Sequence, residues 1–311
     1  MAEPIIALVG GETLLGSDVR ELIADRLPQV RTRLVGAQAD NSVILTAEQG
    51  EAAVITNLDS ERLSTAKAVV LAGSPDSSRK AMAMLRNAPE VPVYDMTGAL
   101  EDLPEARLAP EVARVRVVPH PAASLLTAMM RTLHPRHTVE RMVAQIMAPA
   151  SEHGRAGVDE LQKQTTELLS FQPVSKLVFP DQAAFNLLAG TLGAVETRID
   201  KHLASLLGRT PELPLPSVRL LQAPVMHGYS FSIWVQVAAE RDAVPATLKD
   251  GGFDVWPDGA PHTMSVAGET GMSVGALEAD RSDHRGYWIW AVADQFRVGA
   301  AQCVALLESV L

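Results

Sequence analysis

The chain has 311 residues, a formal net charge of −10 and one cysteine, Cys303. That length holds roughly two domains of about 150 residues, each large enough for a buried core without a disulfide or metal staple. One cysteine excludes an internal disulfide and a thiolate metal cluster. With 27 basic against 37 acidic residues, a general nucleic-acid binder is not expected. The chain lacks a run of about 18 uncharged apolar residues. Its start, MAEPIIALVGG, has no basic segment leading to a small-residue cleavage site. A cytoplasmic protein without a membrane segment is therefore expected.

The first third alternates strand-like and helix-like patterns. Ile5–Val9 is a short apolar run ending in Gly10-Gly11, as a buried parallel strand would be. Leu14, Leu15, Val19, Leu22, Ile23 and Leu27 follow at helical spacing. Arg31–Val35, Ala52–Ile55 and Ala68–Leu71 read as further strands. A helix over Ser77–Arg86 and strands over Val91–Tyr94 and Val115–Val118 complete the pattern. Such repetition predicts an α/β, Rossmann-type doubly wound parallel sheet with right-handed crossovers.

After Pro121 the character changes. Ala123–Leu133 reads as a helix ended by the His134-Pro135 step, and Ala156–Leu169 and Val195–Leu207 as two more. Pro211–Ser217 is a proline-rich connector. Period-2 strands follow over Val218–Pro224, Tyr229–Val237 and Gly286–Ala293, and an apolar helix over Gln295–Leu311 closes the chain. The expected organisation is a nucleotide-binding-like domain over residues 1–122 and an α+β domain with a mostly antiparallel sheet over 123–293. The helix over 294–311 is expected to return to the first domain.

The turn Gly10-Gly11-Glu12-Thr13-Leu14-Leu15-Gly16 joins the first strand to the first helix. A glycine-rich turn there lets a nucleotide pyrophosphate meet amides at the helix start. Gly10 and Gly16 bracket it as the outer glycines of such a fingerprint do. Thr13 stands at the middle position, and its Cβ crowds the closest backbone approach. The second strand ends Val35-Gly36-Ala37-Gln38 with no acidic residue for a ribose hydroxyl. A structural turn and a cofactor turn both stay open.

No histidine pair has metal-ligand spacing on a helix, and no GxSxG elbow occurs, so no metal site is expected. His134 and His137 flank Pro135 and read as a solvated loop. Trp288 and Trp290 share one strand face, which suggests core or interface packing before ligand stacking.

Several segments together resemble the aspartate-semialdehyde dehydrogenase family of amino-acid biosynthesis. ALVGGETLLG resembles its GATGAVG turn. VPVYDMTGALEDLPEARLAPEV resembles the stretch from VIDNSS to VPEVN, and VVPHPAASLLTAMMRTLHP its NPNCST segment and following helix. HGRAGVDELQKQT, QAAFN, LQAPVMHGYSFSIWVQ and ADQFRVGAA resemble, in order, the helix after QAVSGAG, the AFN segment, the RVPV…GHS strand and ADNLRKGAA. The resemblance spans nearly the whole chain. It implies that fold, a homodimer through the second domain's sheet, and NADP as the cofactor of the family's reaction. In that chemistry a cysteine thiolate attacks the carbonyl, a histidine moves the proton and arginines hold the substrate anions.

Carried over residue by residue, those positions differ here. The cysteine falls on Ala123, the glutamine of QAVSGAG on Ala148, the substrate arginine on Gln222 and the acid–base histidine on Tyr229. The phosphate-binding arginine falls on Glu101. The Ser-Gly pair becomes Ser151-Glu152, and the nicotinamide-side asparagine becomes Gln295. Arg198 keeps the charge of an anion-contacting lysine, while the glutamate before it reads as Val195. Cofactor contacts, if kept, fall on Gly10, Thr13, Leu14, Leu15, Gly16, Ser151 and Gln295.

Three readings follow. One is a catalytically silent family member, a pseudoenzyme acting by binding or regulation through a protein or small-molecule partner. A second is an enzyme with altered chemistry around Tyr229, His227, His120 and Ser124. The third is a working NADP-dependent semialdehyde dehydrogenase. Its only possible thiol is Cys303, inside the apolar closing helix.

Overall fold

The structure, a computed structural model, describes residues 3–37, 44–48 and 51–310. Gln38 and Leu311, which figure in the readings above, lie outside the described residues. Two compact units form, one of Met1–Pro119 with Gly299–Leu311 and one of His120–Val298.

The first unit contains β1 (Ile5–Val9), α1 (Leu14–Arg26), β2 (Arg31–Val35), β3 (Ile44–Glu48), β4 (Glu51–Ile55), α2 (Ser60–Ser64), β5 (Ala68–Leu71), α3 (Pro75–Met84), β6 (Val93–Asp95), β7 (Ala106–Leu108) and β8 (Val115–Val117). Six of the strands form a parallel sheet in the order β2-β1-β5-β6-β8-β7. The chain leaves β1 toward β2 and then returns to β5 on the other side, so the winding reverses beside β1. Both faces of the sheet are covered. Ile6, Leu8, Val70 and Tyr94 pack with Val19, Leu22 and Ile23 of α1 and with Cys303, Val304 and Leu307 of the closing helix. On the other face Ala7, Val9, Val69, Leu71, Val93 and Val117 pack with Leu63, Ala81 and Leu85. Burial on two sides is why these strands read as unbroken apolar runs.

The expectation that Ala52–Ile55 adds to the parallel sheet is corrected. β4 pairs antiparallel with β3 as a separate two-stranded ribbon. It reaches the main sheet only through the bridge Val35–Thr56. The helix expected from Ser77 starts at Pro75, because Ser74 caps it: the Ser74 and Ser77 side chains each accept the other's backbone N–H.

The second unit contains α4 (Pro121–His137), β9 (Val139–Ala148), α5 (Gly154–Leu169), β10 (Leu188–Ala189), α6 (Gly193–Leu207), β11 (Ser217–Gln222), β12 (Tyr229–Val237), α7 (Val244–Asp250), β13 (Asp254–Val255), β14 (Met272–Ala279), β15 (Gly286–Ala293) and the start of α8 (Gln295–Glu308). Its seven strands form a mixed sheet in the order β10-β11-β9-β12-β15-β14-β13. Only β11–β9 and β13–β14 pair in parallel, so the sheet is mostly antiparallel. No helix among the described residues is long and apolar enough to cross a membrane.

The His134-Pro135 step does not end α4, which runs on to His137. Pro135 removes one helical N–H, and tertiary contacts hold the last turn in its place. The His137 ring is fully buried between the Ala239 carbonyl and Thr247 Oγ1, at 3.2 and 2.8 Å. The Val139 N–H donates to His134 Nδ1, and Thr138 closes the helix at a φ of 50°. These two histidines are therefore structural, not a solvated loop.

Of the two readings for Trp288, core or interface packing, its 44% exposure leaves the interface. Trp234 and Trp288 face each other across β12–β15, and both indole N–H groups donate to Asp280 Oδ2, at 2.8 and 3.0 Å. The Ser282 and Asp283 amides bind the other oxygen. Those amides first, and the indoles after them, hold the Asp280 carboxyl below its ordinary range. A second carboxylate, Glu160 on α5, is buried and accepts the N–H groups of Leu177, Val178 and Phe179. One turn on, Gln164 Oε1 accepts from Ala183 and Ala184. Together they pin the irregular segment after α5 to the helix.

Because the folded carboxyl of Asp280 is depressed, its contribution to stability is present above the ordinary aspartate pKa. It is lost as pH falls through the folded value. Indole fluorescence should therefore show an acid transition below about pH 4 that disappears in Asp280→Asn. Glu160→Ala strands three backbone donors and should cost about 3 kcal/mol in a urea melt, with faster hydrogen exchange at Val178.

Candidate functional site

The carried-over positions of the second unit gather at one end of its sheet. Gln222 ends β11 and lies opposite Ala148, the last residue of β9. Ser230 lies opposite Met147 on the other side, which sets Tyr229, the first residue of β12, beside Ala148. Neighbours in register project to the same face. Gln222 and Tyr229 therefore flank the small Ala148 side chain. α4 adds His120 as its N-cap and, one turn on, the fully buried Ala123.

The Tyr229 hydroxyl donates a short hydrogen bond to Glu152 Oε2. His120 Nε2 is 3.4 Å from the Tyr229 oxygen and 3.9 Å from Glu152 Oε1, and its ring stacks beside the phenol. Backbone contacts set the imidazole. Its Nδ1 accepts the Ala122 N–H at 3.3 Å, while the His120 N–H donates to His202 Nδ1 at 2.8 Å. With Nδ1 as acceptor, the neutral ring carries its proton on Nε2. Burial pushes the Glu152 carboxyl up. The His120 ring beside it, the Tyr229 hydroxyl and the Arg198 charge outweigh this, and the carboxyl stays below its ordinary range. Burial, then the Glu152 charge, holds the Tyr229 phenol well above its own. The resting arrangement is thus a carboxylate and a protonated phenol beside the His120 ring.

A polar bracket stands beside it. Gln295 Oε1 accepts the Gly228 N–H at 3.0 Å, and its Nε2 donates to Ser151 Oγ at 2.8 Å. Gln222 Nε2 donates to the carbonyls of Ala148 and Ala223. Its Oε1 is buried without a donor.

Sequence reasoning grouped Tyr229, His120, Ser124 and His227. The structure brings together the first two. Ser124 shares the first turn of α4 through its N–H to the His120 carbonyl. His227 is exposed and packs against Phe296 instead, at 6.3 Å between ring centres. Glu152, the direct partner of Tyr229, was noted only as a misfit beside a nucleotide. It stands 77 positions away, with no spacing signal to link the two.

The first unit keeps the geometry of a fingerprint turn. Gly10 has a φ of 86°, and a Cβ on Gly16 would lie 2.0 Å from the Gly10 carbonyl oxygen, so both positions require glycine. The Thr13 hydroxyl turns inward to the carbonyls of Gly10 and Ala72 and accepts the Gly16 N–H. This turn fits a phosphate at the start of α1. In the second unit the fit fails. Ser151 and Gln295 are bonded to each other, Gln295 also to Gly228, and Glu152 puts a carboxylate next to them where a nucleotide would bring negative charge. Among the described residues no group of three His, Cys, Asp or Glu side chains could hold a metal.

The semialdehyde dehydrogenase dimerisation domain matches residues 130–298, more than half of the chain. The chain belongs to the aspartate-semialdehyde dehydrogenase family. It is 29% identical, over 100% of its length and 98% of the relative's, to a USG-1 protein homolog of Pseudomonas aeruginosa. An aspartate-semialdehyde dehydrogenase of Rickettsia bellii is 25% identical over 95% of this chain and 94% of its own. Among solved structures, a probable aspartate-semialdehyde dehydrogenase from Pseudomonas aeruginosa superposes with a TM-score of 0.88 at 26% identity, covering 99% and 98% of the two chains. Family membership accounts for the two sheets.

Tyr229→Phe removes the one hydroxyl that binds Glu152 and should cost about 1–3 kcal/mol. Glu152 then loses a cause of its depression. The acid limb of the stability curve, which falls as pH drops through the folded carboxyl value, should move to higher pH. Denaturant titrations across the acid range check both outcomes.

Proposed function

We propose that this family member does not run the thiol-dependent dehydrogenase reaction and acts in the cytoplasm by binding or regulation. The observation that carries the reading is the missing nucleophile. The second unit contains no cysteine, and Ala123 stands where the family pattern has one. Cys303 is packed in the core of the first unit, where burial pushes its thiol up to about 12. It is protonated at neutral pH and poor as a nucleophile. Gln222 and Tyr229, in place of an arginine and a histidine, support the same reading, since the charge pairing and proton transfer of those residues are not reproduced.

A second reading, an NADP-dependent aspartate-semialdehyde dehydrogenase, is favoured by the names of relatives such as the Rickettsia bellii enzyme. The test is NADPH formation from aspartate semialdehyde and phosphate. No turnover above background is expected. Turnover abolished by Cys303→Ala would overturn the proposal in favour of the second reading. A thiol reagent should leave Cys303 unmodified in the folded protein at neutral pH.

We also infer a homodimer through the second sheet. The matched stretch is described as a dimerisation domain. Val143, Trp234 and Trp288 stand in register across β9, β12 and β15, and Val143 and Trp288 are exposed. Such an apolar row suits burial against a second copy. Sedimentation at micromolar concentration should give a dimer, and a monomer would count against it.

A further inference from the structure

We propose that Glu152 Oε1 and His120 Nε2 form the contact edge for a neutral ligand group that donates and accepts hydrogen bonds at once, a hydroxyl or a primary carboxamide. The inference rests on the reading that the thiol route is absent, because it assigns this end of the sheet to other chemistry.

Each half of the edge is fixed by its other contacts. Glu152 Oε2 is taken by the Tyr229 hydroxyl, while Oε1 is 3.9 Å from the imidazole and has no hydrogen bond. The Glu152 side chain is 16% exposed and that of His120 6%. Nε2 carries the ring proton, since Nδ1 accepts from Ala122, and its one approach, to the Tyr229 oxygen at 3.4 Å, is long. An acceptor and a donor therefore lie side by side, too far apart to satisfy each other. A hydroxyl can donate to the first and accept from the second, and a carboxamide can do so with its two ends.

Gln222 adds an independent observation. It is 1% exposed, both its N–H groups are spent on backbone carbonyls, and its Oε1 has no donor. A buried acceptor left unpaired costs free energy, and a ligand N–H or O–H would satisfy it. Gln222 shares the sheet face with Tyr229, across Ala148. The two acceptors and the carboxylate charge disfavour a carboxylate or phosphate, and the imidazole N–H disfavours a bare ammonium.

The test uses the whole chain and a matched series: succinamide, the corresponding four-carbon diol, succinate and inorganic phosphate. Binding is followed by calorimetry and ligand-observed NMR. Saturable binding is expected for succinamide or the diol, and which one binds separates the carboxamide from the alcohol. Succinate and phosphate should not bind. Glu152→Gln should weaken the neutral probe about tenfold, since a charge-assisted hydrogen bond becomes an ordinary one. Gln222→Leu should weaken it while the melting temperature holds or rises, an effect a purely structural glutamine would not produce on binding. Tighter binding of succinate or phosphate, no binding of either neutral probe, or neutral binding unchanged in Glu152→Gln would overturn the proposal. NADP-dependent turnover would instead overturn the thiol-free reading, so the two failures are distinguishable.

Discussion

A carboxylate shut away from water must find a donor, and Glu152 finds a tyrosine hydroxyl, with an imidazole beside it. Much at this end of the second sheet follows from that need. Tyr229 has to begin β12 so that its hydroxyl reaches Oε2. His120 has to cap α4 so that its ring lies beside the phenol. The Ala122 amide, donating to Nδ1, then leaves Nε2 to carry the proton of the neutral ring. An apolar side chain at position 152 would leave the phenol without its acceptor. Position 152 and position 229 are therefore coupled.

The same device recurs elsewhere in the second unit with a structural purpose. Glu160 gathers three consecutive amides of one segment, and Asp280 gathers two amides and two indoles. In both cases the carboxylate holds irregular backbone against a regular element, which local propensity could not do. Glu152 differs in that one of its oxygens has no hydrogen bond at all.

Much of the fold was legible in the sequence. β1 and β5 are short apolar runs closed by glycine or polar residues, and β12 and β15 carry clear alternation. β9, the strand that joins the two halves of the second sheet, was not read at all. Its sequence VERMVAQIMA is rich in Glu, Met, Ala and Gln, all good helix formers, and pairing on both sides overrides that preference. β10 and β13 have two residues each, too few to show a period. At the site, family resemblance located Ala123, Ala148, Gln222 and Tyr229, and the sheet register brings the last three together. The pairing of Tyr229 with Glu152 left no trace in spacing. The unpaired oxygen of Gln222 depends on which way an amide turns, a choice made by two backbone carbonyls.

The inward-facing hydroxyl of Thr13 has a consequence for the first unit as a whole. By binding the Gly10 and Ala72 carbonyls and capping the Gly16 amide, it completes the opening turn with the chain's own atoms. One threonine hydroxyl thus ties the ends of two neighbouring strands, at Gly10 and Ala72, to the first turn of the helix between them.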